Sequence, residues 1–332
     1  MRVLVLGGAG FMGSNFVRRL ARNEEIVVGV YDKLTYAGRI ENLKDVLDRV
    51  YFVKGDIGNE ELLEHVLGEF APDIIVNFAA ETHVDRSINE PSPFIKTNVN
   101  GVYTVLEVLR RKQALYVHIS TDEVYGDLYG TEEAASEDWP LNPSSPYSAS
   151  KAAGELLVRA YGRTYGIQYK IVRPCNNYGP YQHPEKLIPR TIIRYLLGKP
   201  ATIYGDGSQV RDWLYVEDFV DGLITVIYEG GVGEAYNICA NNPATVKEIV
   251  ENIIRILGGD PERDIVYVRG RPGEDRRYAM KCDKIRELGW APKVSLIDGL
   301  RKTIEWYKAN EWWWRPVVDP RYVLSDAPWE AG

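Results

Sequence analysis

The 332-residue sequence predicts a doubly wound parallel α/β sheet with a smaller C-terminal α/β lobe, and three observations carry that expectation. The apolar run at residues 2–6 breaks directly into Gly7-Gly8-Ala9-Gly10-Phe11-Met12-Gly13, then into a helical stripe of Met12, Phe16, Val17 and Leu20. Short apolar runs and helical patterns alternate from there to about residue 172, and alternation of this kind calls for parallel strands joined by crossover helices. Polar residues gather where the apolar runs stop, the edge at which an open parallel sheet binds its ligands.

The first strand, glycine loop and helix form the context that a dinucleotide fingerprint requires. Glycines let the backbone approach a pyrophosphate, and the helix N-terminus attracts its charge. A second strand, residues 26–31, ends in Asp32, nineteen residues beyond Gly13, where a carboxylate can accept from both ribose hydroxyls of an adenosine. This predicts a Rossmann-like unit that prefers NAD to NADP, whose extra phosphate an aspartate repels. Lys33, directly after it, works slightly against that preference.

Two further strands are expected at residues 50–53, ending in Gly55-Asp56-Ile57, and at 73–78, ending in Ala79-Ala80. Asp56 reads either as a contact to an adenine amino group or as a solvated loop acid. Ala79 and Ala80 are small enough for a ribose to approach, or simply to pack. The stretch Glu81-Thr82-His83-Val84-Asp85-Arg86-Ser87 reads as a polar crossover loop, and loops at this edge carry function.

Residues 115–119 form the next strand and place Ser120-Thr121-Asp122-Glu123 at its carboxyl end. Downstream, Tyr147-Ser148-Ala149-Ser150-Lys151 opens a helix, and a spacing of four sets Tyr147 and Lys151 on one face. An ammonium beside a phenol favours phenolate and can bring its pKa down from about 10, making the tyrosine a base. The sequence holds 22 tyrosines, and Tyr195 and Lys199 repeat the spacing at the close of an apolar helix against Pro200, with no polar strand end nearby. That second copy reads as structural.

After a strand at 169–172 the punctuation grows heavier in Gly and Pro, and a division into residues 1–175 and 176–332 is expected, with chain crossings back to the sheet. The second part holds Arg211 and Arg271, each able to grip phosphate oxygens in a bidentate way or to serve as a surface ion-pair partner. It also holds helices near 246–257 and 300–307, and Trp312-Trp313-Trp314, which reads as packing or an interface.

Composition excludes several classes. A net charge of -7, a pI near 5.4 and no basic block argue against nucleic-acid binding. The apolar start is too short for a signal peptide or a membrane span, so a cytoplasmic location is expected. Cys175, Cys239 and Cys282 are widely spaced and odd in number, supporting neither a disulfide framework nor a zinc site. His65, His83, His118 and His183 lack ligand spacing, so no metal is expected.

On the glycine loop, Asp32, Thr121, Tyr147 and Lys151, the chain resembles the extended short-chain dehydrogenase/reductases acting on nucleotide sugars, and within them the dTDP-glucose 4,6-dehydratases. Matching segments include Asp32–Gly38, Thr82–Ser87, Ser120–Gly126, Tyr147–Lys151, Asn176–Pro180 and Arg211–Val216, so the likeness runs nearly end to end. The resemblance implies NAD held by Gly7, Gly10, Phe11, Met12, Gly13, Asp32, Lys33, Leu34, Thr35, Asp56, Ile57, Phe78, Ala79, Ala80, Thr82, Thr97, Tyr147, Lys151 and Asn177. It implies a dTDP-sugar substrate met by Thr82, Thr121, Asp122, Glu123, Asn176, Lys186, Leu187, Tyr204, Arg211, Asn242 and Arg271, and a homodimer built through two helices per subunit. Gly270 and Glu274 depart from the family's usual Asp and His. Since an acid beside a diphosphate is unfavourable unless it points away, Glu274 is left out of the expected site.

The implied reaction assigns Tyr147 to the C4 hydroxyl proton with Thr121 holding that hydroxyl, Glu123 to the C5 proton, and protonated Asp122 to the departing C6 hydroxyl. Oxidation at C4 must come first, because only a C4 ketone makes the C5 proton acidic enough for a carboxylate to remove. Two adjacent acids doing opposite work need environments that split their pKa values. A 4-epimerase or decarboxylase of the same family would share the fold, NAD and the Tyr-Lys pair, but an epimerase has no use for the two acids. A non-enzymatic NAD-binding sensor would not need Tyr147 and Lys151.

Overall fold

A computed structural model describes residues 1–330. Twelve strands run in chain order: β1 (Arg2–Leu6), β2 (Val27–Asp32), β3 (Val50–Lys54), β4 (Ile74–Asn77), β5 (Leu115–Ile119), β6 (Tyr169–Pro174), β7 (Asn176–Tyr178), β8 (Ala201–Tyr204), β9 (Val210–Tyr215), β10 (Ala235–Ile238), β11 (Pro243–Thr245) and β12 (Ile265–Val268). Seven form one parallel sheet in the order β10-β6-β5-β4-β1-β2-β3. Strand order reverses between β1 and β4, so the crevice at their carboxyl ends is where a ligand is expected.

The central strands are apolar throughout because helices cover both faces of the sheet. Phe16, Val17 and Leu20 of the helix Phe11–Leu20 pack on one side with Val3, Val5 and Val30. Leu63, Val66 and Phe70 of the helix Glu60–Phe70 pack on the other with Leu4, Leu6 and Ile75. Beyond β6 the chain does not stay apart. The helix Val216–Glu229 packs against the first helix, and β10 adds to the large sheet beside β6. The rest of the second half builds two small sheets, β11-β9-β7 and β12-β8, around Ile192, Ile253, Leu300 and Trp313.

Three local expectations need correction or refinement. The polar stretch 81–87 is not all loop, since Val84–Asn89 is helical and is entered through His83 at φ 106°. Cys239 and Cys282 form a disulfide with Cα atoms 6.0 Å apart, leaving only Cys175 free among the described residues. Their 43-residue separation gives no motif, because the pairing follows from β10 and the 280s segment meeting in the fold. The tryptophan run divides: Trp313 and Trp314 are core, with indole N–H groups on Asn42 Oδ1 and the Tyr307 carbonyl, while Trp312 is exposed.

Candidate active site

Two cavities meet at the carboxyl edge of the large sheet, and Glu123, Asn176, Glu185 and Lys186 line both. The first follows the crevice. Its wall carries Gly7, Gly10, Phe11, Met12, Gly13, Asp32, Lys33, Thr35, Asp56, Ile57, Phe78, Ala79, Ala80, Thr82, Thr97, Thr121, Asp122, Tyr147 and Asn177. Leu34 and Lys151 are not part of that wall. The second cavity carries Leu187, Tyr204, Arg211 and Arg271, whereas Asn242 is on neither wall and gives its N–H to Asp212 Oδ1 at 2.7 Å.

The glycine loop is compact because backbone meets backbone. Gly7 sits at φ 74°, where a Cβ would stand 2.5 Å from Ala79 N, and a Cβ on Gly13 would stand 2.3 Å from Gly7 O. The helix that follows has Gly10 at its cap and neither a capping side chain nor an acid in its first turn, so its leading N–H groups suit an anion. Asp32, buried at the end of β2, accepts from Ala9 N at 2.9 Å on one oxygen and from Leu34 N at 2.8 Å on the other. Each oxygen keeps a lone pair for a hydroxyl. Asp56 is not free in the loop, since Lys33 Nζ stands 2.7 Å from its Oδ2.

At the end of β5 a 3-10 turn, Asp122–Tyr125, gathers the acids. Thr121 Oγ1 accepts from Glu123 N at 3.4 Å and donates to Asp122 Oδ1 at 3.1 Å. Burial, with the charge of Glu123 added, pushes the Asp122 carboxyl up to about 8. Burial raises Glu123 as well, but Arg211, Arg271 and Lys186 pull it the other way. At about 8, Asp122 keeps its proton at neutrality, as a general acid must. Glu123 Oε2 is buried and unpartnered.

Tyr147 and Lys151 share one face of the helix Pro146–Tyr165, which starts at a Ser145–Ser148 capping box. The expectation that the lysine lowers the phenol does not hold in this structure. Lys151 Nζ gives a 2.6 Å hydrogen bond to the Ile119 carbonyl, and burial lowers the lysine to about 8. The phenol is pushed up, first by burial and then by Glu123, with a hydrogen bond to Thr121 opposing. A spacing of four selects a helix face but not where a long side chain ends, and the β5 carbonyl claims this amine.

In the second cavity the cations are already held. Arg271 Nη1 donates to Asp85 Oδ1 at 2.9 Å, and its Nε lies 3.3 Å from Glu274 Oε1. Arg211 donates to the carbonyls of Val210 and Asp275 at 2.9 and 2.7 Å. Glu274 thus stands on the wall, contrary to the expectation that left it out, because Arg271 and Gln209 hold it there. The residue-level reading also missed Glu185. Burial opposes its charge, but His83, His183, Lys186 and Arg86 hold its carboxyl down to about 2, with Arg86 Nε 2.8 Å away. Its sequence context, Pro184-Glu185-Lys186, carries no sign of that burial. The second Tyr-Lys pair is on neither wall: Tyr195 packs against the small core of Ile203, Val250 and Ile254.

A family model described as GDP-mannose 4,6 dehydratase matches residues 4–303. The dTDP-glucose 4,6-dehydratase of Neisseria meningitidis serogroup B is 46% identical, with 98% of each chain covered. Among solved structures, a dTDP-glucose 4,6-dehydratase of Streptomyces venezuelae with NAD and TYD bound is 45% identical at TM-score 0.91, covering 96% of this chain and 100% of that one. The UDP-glucose 4-epimerase of Thermotoga maritima, solved with UDP-glucose, is 33% identical at TM-score 0.87, covering 94% and 100%. Fold alone does not separate dehydratase from epimerase at such values, but identity does, and the chain belongs to the dTDP-glucose 4,6-dehydratase family of extended short-chain dehydrogenase/reductases.

Proposed function

We propose that the chain converts dTDP-glucose to dTDP-4-keto-6-deoxyglucose, with NAD in the first cavity and the sugar nucleotide reaching from the acids into the second. The first cavity fits the cofactor: a glycine loop that a Cβ would fill, an uncapped helix N-terminus for the pyrophosphate, and Asp32 with a lone pair left on each oxygen. When bound, NAD supplies a two-electron acceptor that is restored within one turnover. The net change is loss of one water.

Tyr147 takes the C4 hydroxyl proton in its phenolate form, which the pocket without substrate disfavours, and Thr121, bonded to both Tyr147 and Asp122, orients that hydroxyl. Glu123, whose Oε2 has no protein partner, takes the C5 proton. Asp122 gives its proton to the C6 hydroxyl as it leaves as water. Lys151 anchors the catalytic helix to the β5 carbonyl that precedes Ser120. Arg211, Arg271 and Lys186 supply positive charge for the diphosphate. Asn176 lines both cavities, where the sugar would lie.

The observation that carries this reading over an epimerase is the buried acid pair beside Tyr147, with Asp122 pushed up to about 8. Incubating pure protein with dTDP-glucose tests it. Loss of one water in the mass spectrum of the sugar nucleotide is expected, whereas unchanged mass with inverted C4 would make the chain an epimerase. UDP-glucose in a parallel reaction reads the base preference.

Ile95, Tyr103, Leu156 and Tyr165 are exposed apolar side chains of Ile95–Leu109 and Pro146–Tyr165, about half accessible each. They support a homodimer through those helices, which light scattering checks. No helix among the described residues is long and apolar enough to cross a membrane, and a cytoplasmic setting suits a nucleotide-dependent enzyme.

A further inference from the structure

Among the acids of the second cavity that the reaction does not use, Glu274 stands between Gln209 and Arg271. Glu274, mostly buried, accepts from Gln209 Nε2 at 2.9 Å through Oε2 and has Oε1 3.3 Å from Arg271 Nε. On charge alone the position is adverse, because a carboxylate beside Arg211 and Arg271 lowers the potential that draws a diphosphate. Its contacts give it a different task.

Gln209 is 6% exposed, and its amide offers two N–H donors and one acceptor oxygen. Both donors are used, one on the Tyr204 carbonyl at 3.3 Å and one on Glu274. Turning the amide over would set its oxygen against a carbonyl and a carboxylate, so its orientation is settled by its partners. Oε1 is left buried and unpartnered on a residue of the cavity wall, and the hydroxyl of Thr202 on the same wall is likewise unpartnered. Buried acceptors are rarely left unmet, which points to a donor arriving with the ligand.

Resting on the reading of this cavity as the nucleoside diphosphate site, we propose that Glu274 is a positioning residue for the nucleotide. It locks the Gln209 amide so that Oε1 receives an N–H or O–H donor of the nucleoside. Its charge also lies beside Arg271 Nε, which makes no hydrogen bond, while Asp85 accepts from Nη1, and the guanidinium keeps N–H groups for phosphate oxygens. The acid therefore strengthens nucleotide binding despite its charge.

The test is the sign of a change in affinity. Protein carrying its cofactor is titrated with dTDP by calorimetry for wild type, E274A, E274Q, Q209A and the E274A/Q209A double variant. An acid that only repels predicts tighter binding by E274A. Positioning predicts about ten-fold weaker binding by E274A and recovery to within about three-fold of wild type in E274Q, which keeps an acceptor for Gln209. The double variant should then bind no more weakly than Q209A, since both changes break one unit. In turnover the loss should fall on KM for the sugar nucleotide rather than on kcat, a split that general loosening of the fold does not give.

Two analogues, dTDP methylated at N3 and dTDP lacking the 3′-hydroxyl, identify the donor. The one missing it binds wild type weakly and is indifferent to Q209A. Equal or tighter binding by E274A, additive losses, or full affinity for both analogues overturns the proposal. Wild-type protein that binds neither dTDP nor UDP overturns instead the reading of the cavity on which it rests.

Discussion

The two cavities are built by different means. The first is made of chain ends: a glycine loop, an aspartate closing β2, small residues after β4 and acids after β5, each placed by its own strand. The second is made of charges cancelled across the fold. Arg271 pairs with Asp85 over 186 residues and Arg86 with Glu185 over 99, while the neutral amide of Gln209 donates to Glu274 over 65. A site of strand ends is legible element by element, while a site of opposed charges exists only once the elements have met.

The largest expected effect falls where the cavities join. Glu123→Gln should lower product formation about 10² to 10⁴-fold and stop solvent deuterium from entering C5. Asp122→Asn should still exchange C5 yet lose the C6 hydroxyl slowly. Normal wash-in of deuterium by Glu123→Gln would withdraw the assignment of that strand end.

Next comes the contrast between the two Tyr-Lys pairs. Tyr147→Phe should cost about 10² to 10⁴ in turnover, whereas Tyr195→Phe, in the small core of the second half, should leave turnover unchanged. Similar losses in both would mean that spacing, not position, had chosen the pair.

The pH profile sharpens the comparison further. Asp122 must be protonated to act as an acid, and its pKa is raised to about 8, so the protonated form is held at neutrality and lost as pH rises through about 8. Elimination should fall about tenfold per pH unit above that point, and Asp122→Asn should remove the limb. A profile that stays flat to well above 8 would break the assignment.

The smallest effect belongs to the first cavity alone. Asp32→Ala should narrow the preference for NAD over NADP by about tenfold while leaving dTDP affinity within about twofold, since Asp32 is not on the second wall. Equal affinity of the unaltered protein for both cofactors would remove the basis of that preference.

The sequence by itself determined the parallel sheet, the order of strand, glycine loop and helix at the start, the placing of Asp32, Thr121, Asp122 and Glu123 at strand ends, and of Tyr147 at the start of a helix. Those features follow from side-chain period and turn chemistry, which act over a few residues. Only the tertiary structure decided that Lys151 reaches the Ile119 carbonyl, that Asp122 is buried enough to hold its proton, and that Cys239 meets Cys282. It also decided that Glu274 faces Arg271 and Gln209 rather than solvent. Burial and ion pairing depend on which distant residues the sheet order brings together, and a carboxylate reads the same in sequence whether water or a guanidinium surrounds it.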